Sequence, residues 1–351
     1  MAAPKYALLV TGAAGGIGSG FVSEFLKTPQ ASTHYGLYVV HPSQPGSLAE
    51  LLKNHAPASH KYEIASLDLS SLVSVRSFVS TLQPRVKAGE LPPIRKLYLI
   101  AGGIFTSKDT EDGLDYSADG LEKMFAVNYL VNFLLVLMLL GSMKESARIV
   151  FMSSTTHWPE NKSNASHVTK LEHNTVWKDV DMLANGKGNV PEAETGKKGR
   201  FEAGMRRYGT TKTLLNMFMY ELQRRLDKDS QLSKISIIAM EPGAVGGTGL
   251  FQAHTFPIWM WFILCYIAPL IQTIVVWFMP NGFMRTPQQV GKDLVFAGWG
   301  KGLKGATYLD GHVVRDSSPE THDVVKQGKL WEGSLRLVGL SDAETALESW
   351  R

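Results

Sequence analysis

Short apolar runs alternate with helix-length segments along most of the chain, beginning close to its first residue. Apolar runs of this kind, bounded by turn residues, are typical of strands buried in a sheet. The runs are Tyr6–Val10, Leu37–Val40, Tyr62–Leu67, Lys96–Ile100, Arg148–Met152, Ile235–Met240 and Ala306–Leu309. The alternation predicts an α/β fold, a doubly wound parallel sheet of about seven strands with helices on both faces.

Two segments interrupt this alternation. Residues 155–204 are polar and rich in Asn, Lys, Gly and Glu, which predicts an insertion. Residues 256–279 are intensely apolar, carry no charge and have the length of a membrane span. We interpret residues 1–351 as one domain that contains these two segments and ends in an extension over residues 316–351.

Composition narrows the class of protein. With 44% hydrophobic and 19% charged residues among 351, the chain is typical of a globular protein with ample core. The formal net charge of +4 is small and forms no dense basic stripe, which argues against a nucleic-acid binder. The single cysteine, Cys265, favours a reducing compartment, and the ten histidines show no metal-ligand spacing. Because the first strand follows the N-terminus directly, we expect no signal peptide.

A glycine-rich turn follows the first apolar run and leads into a segment with helical spacing. Glycines there permit a tight turn and a close approach of the backbone to a pyrophosphate, at the N-terminus of a helix. This strand–turn–helix context predicts a Rossmann-like dinucleotide site, whereas a glycine-rich turn without it is often only a loop. The candidate cofactor-binding residues are Thr11, Gly12, Gly16, Ile17 and Gly18.

Tyr208 and Lys212 stand four residues apart, so on a helix they share a face. There the Lys212 ammonium would favour the ionised phenol and lower the pKa of Tyr208 toward working pH. A phenol tuned in this way is a usable acid/base for an alcohol or carbonyl oxygen. Such a pair also arises by chance on surface helices, so the rest of the chain decides its meaning.

The order of these motifs along the chain resembles the short-chain dehydrogenase/reductase superfamily over roughly residues 5–315. Besides the glycine turn and the Tyr208–Lys212 pair, the resembling positions are Asp68, Ala101-Gly102, Asn128, Ser153-Ser154 and Pro242-Gly243-Ala244-Val245. The segment that leads to Asn128 is most similar to the retinol dehydrogenase and protochlorophyllide reductase branch. An insertion before the tyrosine and an apolar stretch after the Pro-Gly turn are also similar to sterol 3-keto-reductases.

The resemblance implies a role for each of these residues. Tyr208 would exchange a proton with the substrate oxygen, and Ser154 would hydrogen-bond the same oxygen. Lys212 would hold the ribose hydroxyls and lower the tyrosine pKa, while Asn128 would tether a water that connects the lysine to solvent. A strand-end cap for Ser154 and a structural hydrogen bond for Asn128 are the alternatives. The cofactor would be lined by Asp68, Ala101, Gly102, Tyr208, Lys212, Pro242, Gly243, Val245 and Thr248.

Three departures from the family pattern stand out. Ala101-Gly102 keeps only the small pair of the usual Asn-Asn-Ala-Gly, and Thr248 falls one residue later than the family's threonine. Ser154 lies much further before Tyr208 than the family's serine does. An insertion that loops out of the sheet accounts for this separation, because catalytic geometry depends on position in space.

The end of the second strand bears on the choice of cofactor. NAD-dependent enzymes place an acid there for the ribose 2′-hydroxyl, and an acid would repel a 2′-phosphate. This chain has Val40-His41-Pro42-Ser43 instead, with no acid and no arginine. We therefore expect NADP(H), with His41 and Ser43 as donors to the phosphate; a plain loop histidine is the alternative.

Residues 256–279 lie where this family builds its substrate lid, which we place at residues 244–289. The strand Ala306–Leu309 must pair with the strand before the lid, so a single membrane crossing would separate the two. We expect the stretch to dip into a membrane and return, with a bend near Pro269, or to lie in the membrane interface. An oligomer interface or a buried hairpin is the alternative.

These motifs predict an NADP(H)-dependent oxidoreductase for a ketone or secondary alcohol of a bulky hydrophobic substrate, such as a sterol, retinoid or polyketide. A carbon–carbon double-bond reductase and a non-catalytic NADP(H)-sensing scaffold on a membrane are the alternatives. The expected partners are a small hydrophobic substrate and a membrane surface, without nucleic acid, and a homo-oligomer is compatible with the sequence. The expected location is the cytosolic face of the endoplasmic reticulum or a lipid droplet, otherwise the cytoplasm.

Overall fold

Strands and helices alternate in the computed structural model, which describes residues 3–43, 46–110, 113–158, 179–187, 196–250 and 258–351. The strands are β1 Tyr6–Thr11, β2 His34–Val40, β3 Tyr62–Ser66, β4 Ile94–Leu99, β5 Met143–Met152, β6 Ser236–Glu241, β7 Thr307–Asp310 and β8 Val313–Arg315. The α-helices are α1 Gly16–Leu26, α2 Gly46–His55, α3 Leu72–Lys87, α4 Val131–Leu139, α5 Val180–Ala184, α6 Gly196–Leu226, α7 Ile258–Phe262, α8 Ala268–Phe278, α9 Pro287–Trp299 and α10 Val324–Val338. Two π-helical segments, Phe125–Leu130 and Ile263–Ile267, directly precede α4 and α8.

The strands form one sheet in the order β3-β2-β1-β4-β5-β6-β7-β8. Neighbouring strands are parallel except β7 and β8, which are antiparallel. The predicted doubly wound parallel sheet is therefore confirmed, and β8 is an eighth strand that was too short to appear as an apolar run. The strand order reverses between β1 and β4, and ligands of such sheets bind at the carboxyl ends of the strands at this point.

Side chains on the two sheet faces pack against two separate layers of helices. Leu9 belongs to a buried cluster that includes residues of α3, α4, α6 and α10, whereas Leu8 and Val10 belong to one that includes residues of α1, α2 and α9. Successive residues of a strand point to opposite faces, so a strand buried on both faces is apolar throughout. This explains why the strands appear in the sequence as continuous apolar runs.

The helix within Phe125–Ser142 is long and apolar enough to cross a membrane, but 94% of that stretch is buried inside the protein. It packs against the sheet in the larger of the two clusters. Because protein surrounds it on all sides, its sequence is apolar all round rather than amphipathic. It is the central helix of the core.

The polar segment 155–204 falls partly outside the described residues. Within it the structure describes α5 and the start of α6, which begins at Gly196. The predicted end of the insertion is therefore too late, because residues 196–204 already belong to the long helix that carries Tyr208. A helix turn rich in charged residues looks the same in sequence as a polar loop.

The C-terminal extension packs along α6 through α10. Trp331 of α10 is 1% exposed, and its indole N–H donates to the carbonyl of Trp350 at 2.7 Å. The guanidinium of Arg225, near the end of α6, lies 4.3 Å from the centre of the Trp331 ring. The extension therefore completes the core on this side of the sheet.

Candidate active site

The glycine turn between β1 and α1 is closely packed against the end of β4. Gly12 has a φ of +69°, and a Cβ atom there would lie 2.8 Å from the backbone nitrogen of Ala101. A Cβ atom at Gly18 would lie 2.1 Å from the carbonyl oxygen of Gly12. Only glycine fits both positions. The Ala101 N–H donates to the Thr11 hydroxyl at 3.4 Å, which holds the ends of the two strands together.

The N-terminus of α1 is suited to an anion. Its N-cap residue, Gly15, makes no side-chain capping bond, and the first turn contains no acidic residue. Ile17 packs into the core behind the turn. A Cβ atom at Gly16 would lie 2.9 Å from the Thr248 methyl group, so Thr248 lies over the turn despite its offset in sequence. A pyrophosphate fits here, because backbone N–H groups at a helix N-terminus bind phosphate.

His41, Ser43 and Asp68 lie together beyond the carboxyl ends of β2 and β3. His41 Nδ1 is 2.8 Å from the Ser43 hydroxyl, and its Nε2 is 3.9 Å from the Asp68 carboxylate. Asp68 also accepts hydrogen bonds from the N–H and hydroxyl of Ser70 at 2.8 and 2.7 Å. His41 and Ser43 are exposed, so both can reach a cofactor ribose at the adjacent turn.

Tyr208 and Ser154 meet although they are far apart in sequence. Tyr208 lies in the middle of α6, is 8% exposed, and forms a side-chain hydrogen bond with Ser154. Ser154 follows β5 and caps a short 3₁₀ turn, where its hydroxyl accepts hydrogen bonds from the N–H and hydroxyl of Thr156 at 3.3 and 3.0 Å. The two predicted hydroxyls are therefore placed to bind one substrate oxygen.

The pKa of Tyr208 is raised above its ordinary value, not lowered as the helix spacing predicted. Burial is the largest cause, the negative charge of Glu241 adds to it, and the hydrogen bond with Ser154 opposes both. The phenol is therefore protonated at neutral pH. A protonated phenol is ready to donate a proton to a substrate oxygen.

Lys212 is 3% exposed and lies one turn beyond Tyr208. Its ammonium donates to the carbonyl of Met152 at 2.8 Å and lies 5.4 Å from the centre of the Tyr208 ring. Burial lowers the pKa of Lys212 to about 8, and the charge of Glu241 opposes this change. The main-chain end of β5 therefore fixes the lysine beside the tyrosine.

Asn128 lies in the π-helical segment before α4 and ties the loop after β4 to α6. Its side-chain oxygen accepts from the N–H of Gly103 at 2.9 Å, while its amide donates to the Gly103 carbonyl at 3.0 Å and to the Thr211 hydroxyl at 3.2 Å. A Cβ atom at Gly102 would lie 2.9 Å from the Asn128 oxygen and 3.7 Å from the Lys212 nitrogen. These bonds correspond to the structural role that the sequence left as an alternative.

The Pro-Gly turn after β6 is fastened to the end of the apolar segment. Pro242 is buried, Gly243 has a φ of +69°, and a Cβ atom there would lie 2.5 Å from the Phe283 carbonyl oxygen. The N–H of Ala244 donates to the same oxygen at 2.7 Å. Val245, 5% exposed, packs into the core. The turn thus connects the predicted cofactor site to the predicted lid.

An apolar cluster surrounds the Tyr208 side chain. It combines the loop after β4, the first turns of α6 and the apolar segment that begins at α7. Such a cluster excludes water from the phenol and favours a hydrophobic ligand. Its members are Ile104, Phe105, Met124, Phe201, Met205, Tyr208, Leu250, Trp261 and Leu264.

The predicted lid is a helical rod composed of α7, the π-helical segment and α8. The rod continues through Pro269, which occupies the first turn of α8, so the predicted bend and return at this proline are wrong. Proline is tolerated inside this continuous helix because the Leu264 carbonyl, in the preceding turn, accepts from the Gly247 N–H at 3.1 Å instead. Gln272, 3% exposed, accepts from the Gly246 N–H at 3.0 Å and holds the rod to the Pro-Gly turn.

Two residues of the site had no signal in the sequence. Glu241 is 2% exposed, and its carboxylate accepts from the N–H of Gly243 at 3.1 Å and the hydroxyl of Tyr308 at 3.2 Å. His157 is 1% exposed, accepts from the Ser318 N–H at 3.0 Å, and therefore donates its Nδ1 proton to the Ser154 carbonyl at 2.6 Å. Each has one partner close by in the chain and one that is distant, Tyr308 for Glu241 and Ser318 for His157, so no local motif reveals the pairing.

Comparison with known proteins defines the class. Residues 6–166 match the family model described as short chain dehydrogenase. The chain is 34% identical to the short-chain dehydrogenase iccH of Talaromyces variabilis, over 98% of each chain. It therefore belongs to the short-chain dehydrogenase/reductase family of oxidoreductases, and the resemblance predicted from its motifs is confirmed.

Two further similarities agree with this assignment. The chain is 27% identical to the chloroplastic protochlorophyllide reductase of Daucus carota, over 96% of this chain and 79% of the relative. The crystal structure of angucycline C-6 ketoreductase LanV with bound NADP has a TM-score of 0.56 at 16% identity, covering 87% of this chain and 93% of that one. At 16% identity, the similarity to LanV is a similarity of fold.

Proposed function

We propose that this protein is an NADP(H)-dependent oxidoreductase that transfers hydride between the nicotinamide and a ketone or secondary alcohol of a bulky hydrophobic substrate. The observation that carries the proposal is the hydrogen-bonded pair of Ser154 and Tyr208 inside an apolar cluster. A sterol, a retinoid or a polyketide combines the required bulk with an oxygen that these hydroxyls can bind.

Different residues transfer the proton and position the substrate and the cofactor. The nicotinamide, when bound, supplies or accepts the hydride. Tyr208 gives its phenolic proton to the oxygen of a ketone during reduction and recovers it during oxidation. Ser154 donates a hydrogen bond to the same oxygen, where negative charge develops. Lys212, held by the Met152 carbonyl, orients the ribose hydroxyls, and the apolar cluster excludes water.

The end of β2 supports NADP(H) as the cofactor. An acid there would bind the ribose 2′-hydroxyl and repel a 2′-phosphate, and this chain has His41 and Ser43 instead. LanV, which shares the fold, is described with bound NADP. Both observations favour a phosphate on the adenine ribose.

NADPH should therefore bind at least about tenfold more tightly than NADH, as measured by calorimetric titration. His41→Asp should narrow or reverse this preference, because a carboxylate repels the phosphate and accepts from a free 2′-hydroxyl. The matched control is His55→Asp, a change of the same kind at an exposed position of α2. Equal affinities in the unmodified protein would contradict the cofactor assignment.

Reduction of a carbon–carbon double bond is a second candidate reaction. It is favoured by the 27% identity to protochlorophyllide reductase over 96% of this chain. In this reaction the Tyr208 proton would go to carbon rather than to oxygen. The position at which hydride enters the product separates the two reactions.

The exposed face of the α7–α8 rod supports attachment to a membrane surface. Its outward side chains are large and apolar, whereas Trp261 and Leu264 face the cluster around Tyr208. An uncharged helix face of this size is typical of proteins that lie in the membrane interface. We infer that the rod rests on the cytosolic face of the endoplasmic reticulum or a lipid droplet and admits lipophilic substrates to the site. The exposed residues are Ile258, Trp259, Phe262, Ile263, Tyr266, Ile267, Leu270, Ile271, Ile274, Trp277, Phe278 and Met279.

A further inference from the structure

Glu241 ends β6 at the strand edge that carries the catalytic residues. β6 pairs with β5, with Met240 opposite Met152, so Glu241 lies beside the strand end that leads to Ser154. Its side chain is almost fully buried, and its carboxylate is held by two hydrogen bonds, one from the N–H of Gly243 and one from the Tyr308 hydroxyl. The carboxylate is therefore fixed in position and cannot turn toward solvent.

Within the part of the chain that the structure describes, no cation forms an ion pair with this carboxylate. Arg285, from the segment before α9, donates to the main-chain carbonyl of Glu241 at 2.8 Å and pairs with the Asp310 carboxylate at 2.5 Å. His157 packs its ring 5.0 Å from that of Tyr308, but burial lowers the pKa of His157 to about 4, so it is neutral. A buried carboxylate needs a compensating charge or must be protonated.

Two cations are coupled to this carboxylate: Arg285, whose charge opposes the rise of the Glu241 pKa, and Lys212 of α6. Lys212 is buried nearby with the Met152 carbonyl as its acceptor, and the Glu241 charge favours its protonated form. The same charge favours the protonated form of Tyr208. Burial raises the pKa of Glu241 to about 7, while its hydrogen bonds and Arg285 oppose this and Asp310 adds to it. The charge of this one carboxylate therefore acts on both the ammonium and the phenol.

We propose that Glu241 is the buried counter-ion of the Tyr208–Lys212 pair, a positioning residue that keeps both protons on that pair. With both protons in place, the phenol is a donor, which suits reduction of a substrate rather than oxidation. Only the preference for reduction over oxidation rests on the proposed function. The counter-ion role itself concerns three side chains and needs no substrate.

The test is a pH titration of Lys212 by NMR in protein with lysine labelled at the ε carbon, assigned with Lys212→Gln. Glu241→Gln removes the charge, keeps one oxygen to accept from the Gly243 N–H, and presents an amide N–H to the Tyr308 hydroxyl, which can act as its acceptor. It should lower the Lys212 midpoint by about one pH unit. The control is Glu221→Gln, which changes a carboxyl that is also buried, at 3% exposure, and lies further along the same helix in ion pairs with Arg224 and Arg225. Its Lys212 midpoint should equal that of the unmodified protein.

Two results would overturn the proposal: the same Lys212 midpoint with and without the Glu241 charge, or an equal shift in the control. If Glu241→Gln does not fold, Tyr308→Phe takes its place. Removing that hydroxyl leaves the Glu241 carboxylate with one donor fewer and raises its pKa, so the Lys212 midpoint should fall by a smaller amount. An unchanged midpoint there would equally contradict the counter-ion role. Since no turnover is measured, the outcome is independent of which reaction the protein catalyses.

Discussion

Single residues of the site differ in how far the sequence reveals them. Tyr208 and Lys212 follow from one helical spacing, and the glycines follow from the turn they build. Glu241 and His157 do not, because each has one hydrogen-bond partner that is far away in the chain, at 67 and 161 residues. The direction of the Tyr208 pKa was also wrong from sequence, since spacing gives the neighbour on the helix but not the degree of burial. Ionisation depends on the whole environment of a group.

His157 provides a pH test at this scale. Burial lowers its pKa to about 4, whereas an unfolded histidine titrates near 6.5. Below about pH 6.5 the imidazole is therefore protonated in the unfolded chain but not in the folded protein. The unfolding free energy falls as the pH is lowered toward 4. The shift corresponds to about 3 kcal/mol. His157→Gln should therefore lose less unfolding free energy than the unmodified protein between about pH 7 and about pH 5, as measured by urea unfolding.

The control for this test is His55→Gln, at an exposed position. It should leave the pH dependence of the unfolding free energy unchanged. If the unfolding free energy of His157→Gln falls with decreasing pH as steeply as that of the unmodified protein, the buried neutral imidazole is not the group responsible. His34, whose pKa burial also lowers to about 4, would then be the next group to replace.

At the scale of elements, apolar composition alone did not separate two very different helices. The helix before β5 is apolar because the core surrounds it, and the α7–α8 rod is apolar although much of it is exposed. The sequence showed the second as exceptional only because it lies outside the strand–helix alternation. Its shape was beyond sequence reasoning, since a proline inside a continuous helix and a proline where a chain turns back give the same local pattern.

The rod offers a test of membrane attachment. Leu270, Ile274 and Trp277 are 72%, 63% and 81% exposed and share one face of α8. Replacing all three with Ser should weaken binding to phosphatidylcholine vesicles more than about tenfold in a flotation assay, because each buried apolar side chain contributes roughly 1.5–3 kcal/mol. Nicotinamide binding should stay unchanged, as these side chains point away from the site.

Three exposed valines elsewhere serve as the control for this test. Val73, Val324 and Val325 are 72%, 58% and 67% exposed, and their replacement with Ser should leave vesicle binding intact. If the protein stays in solution without detergent and does not bind vesicles, the proposed membrane attachment is wrong. The rod would then be a lid only.

At the scale of the whole molecule, the sheet was predictable because central strands such as β1, β4 and β6 are buried on both faces and appear as apolar runs. Of the strand order, only the pairing of Ala306–Leu309 with the strand before the lid followed from the family resemblance. The edge strand β8 escaped prediction because its three residues are too few to stand out as an apolar run. The sheet order brings the ends of β1, β4, β5 and β6 to one edge, where the glycine turn, Asn128, Ser154 and Glu241 all lie.

The central claim is that Tyr208 protonates a lipophilic substrate that receives hydride from NADPH. The direct measurement is transfer of deuterium from NADPH deuterated at the nicotinamide into a panel of hydrophobic ketones and conjugated enones, followed by mass spectrometry. The account predicts one deuterium on a carbinol carbon of the product. Tyr208→Phe should bind NADPH normally and lose transfer by about 10²-fold or more. Deuterium on a former double-bond carbon would support the second reaction, and transfer above about a tenth of the normal rate in Tyr208→Phe would contradict the account.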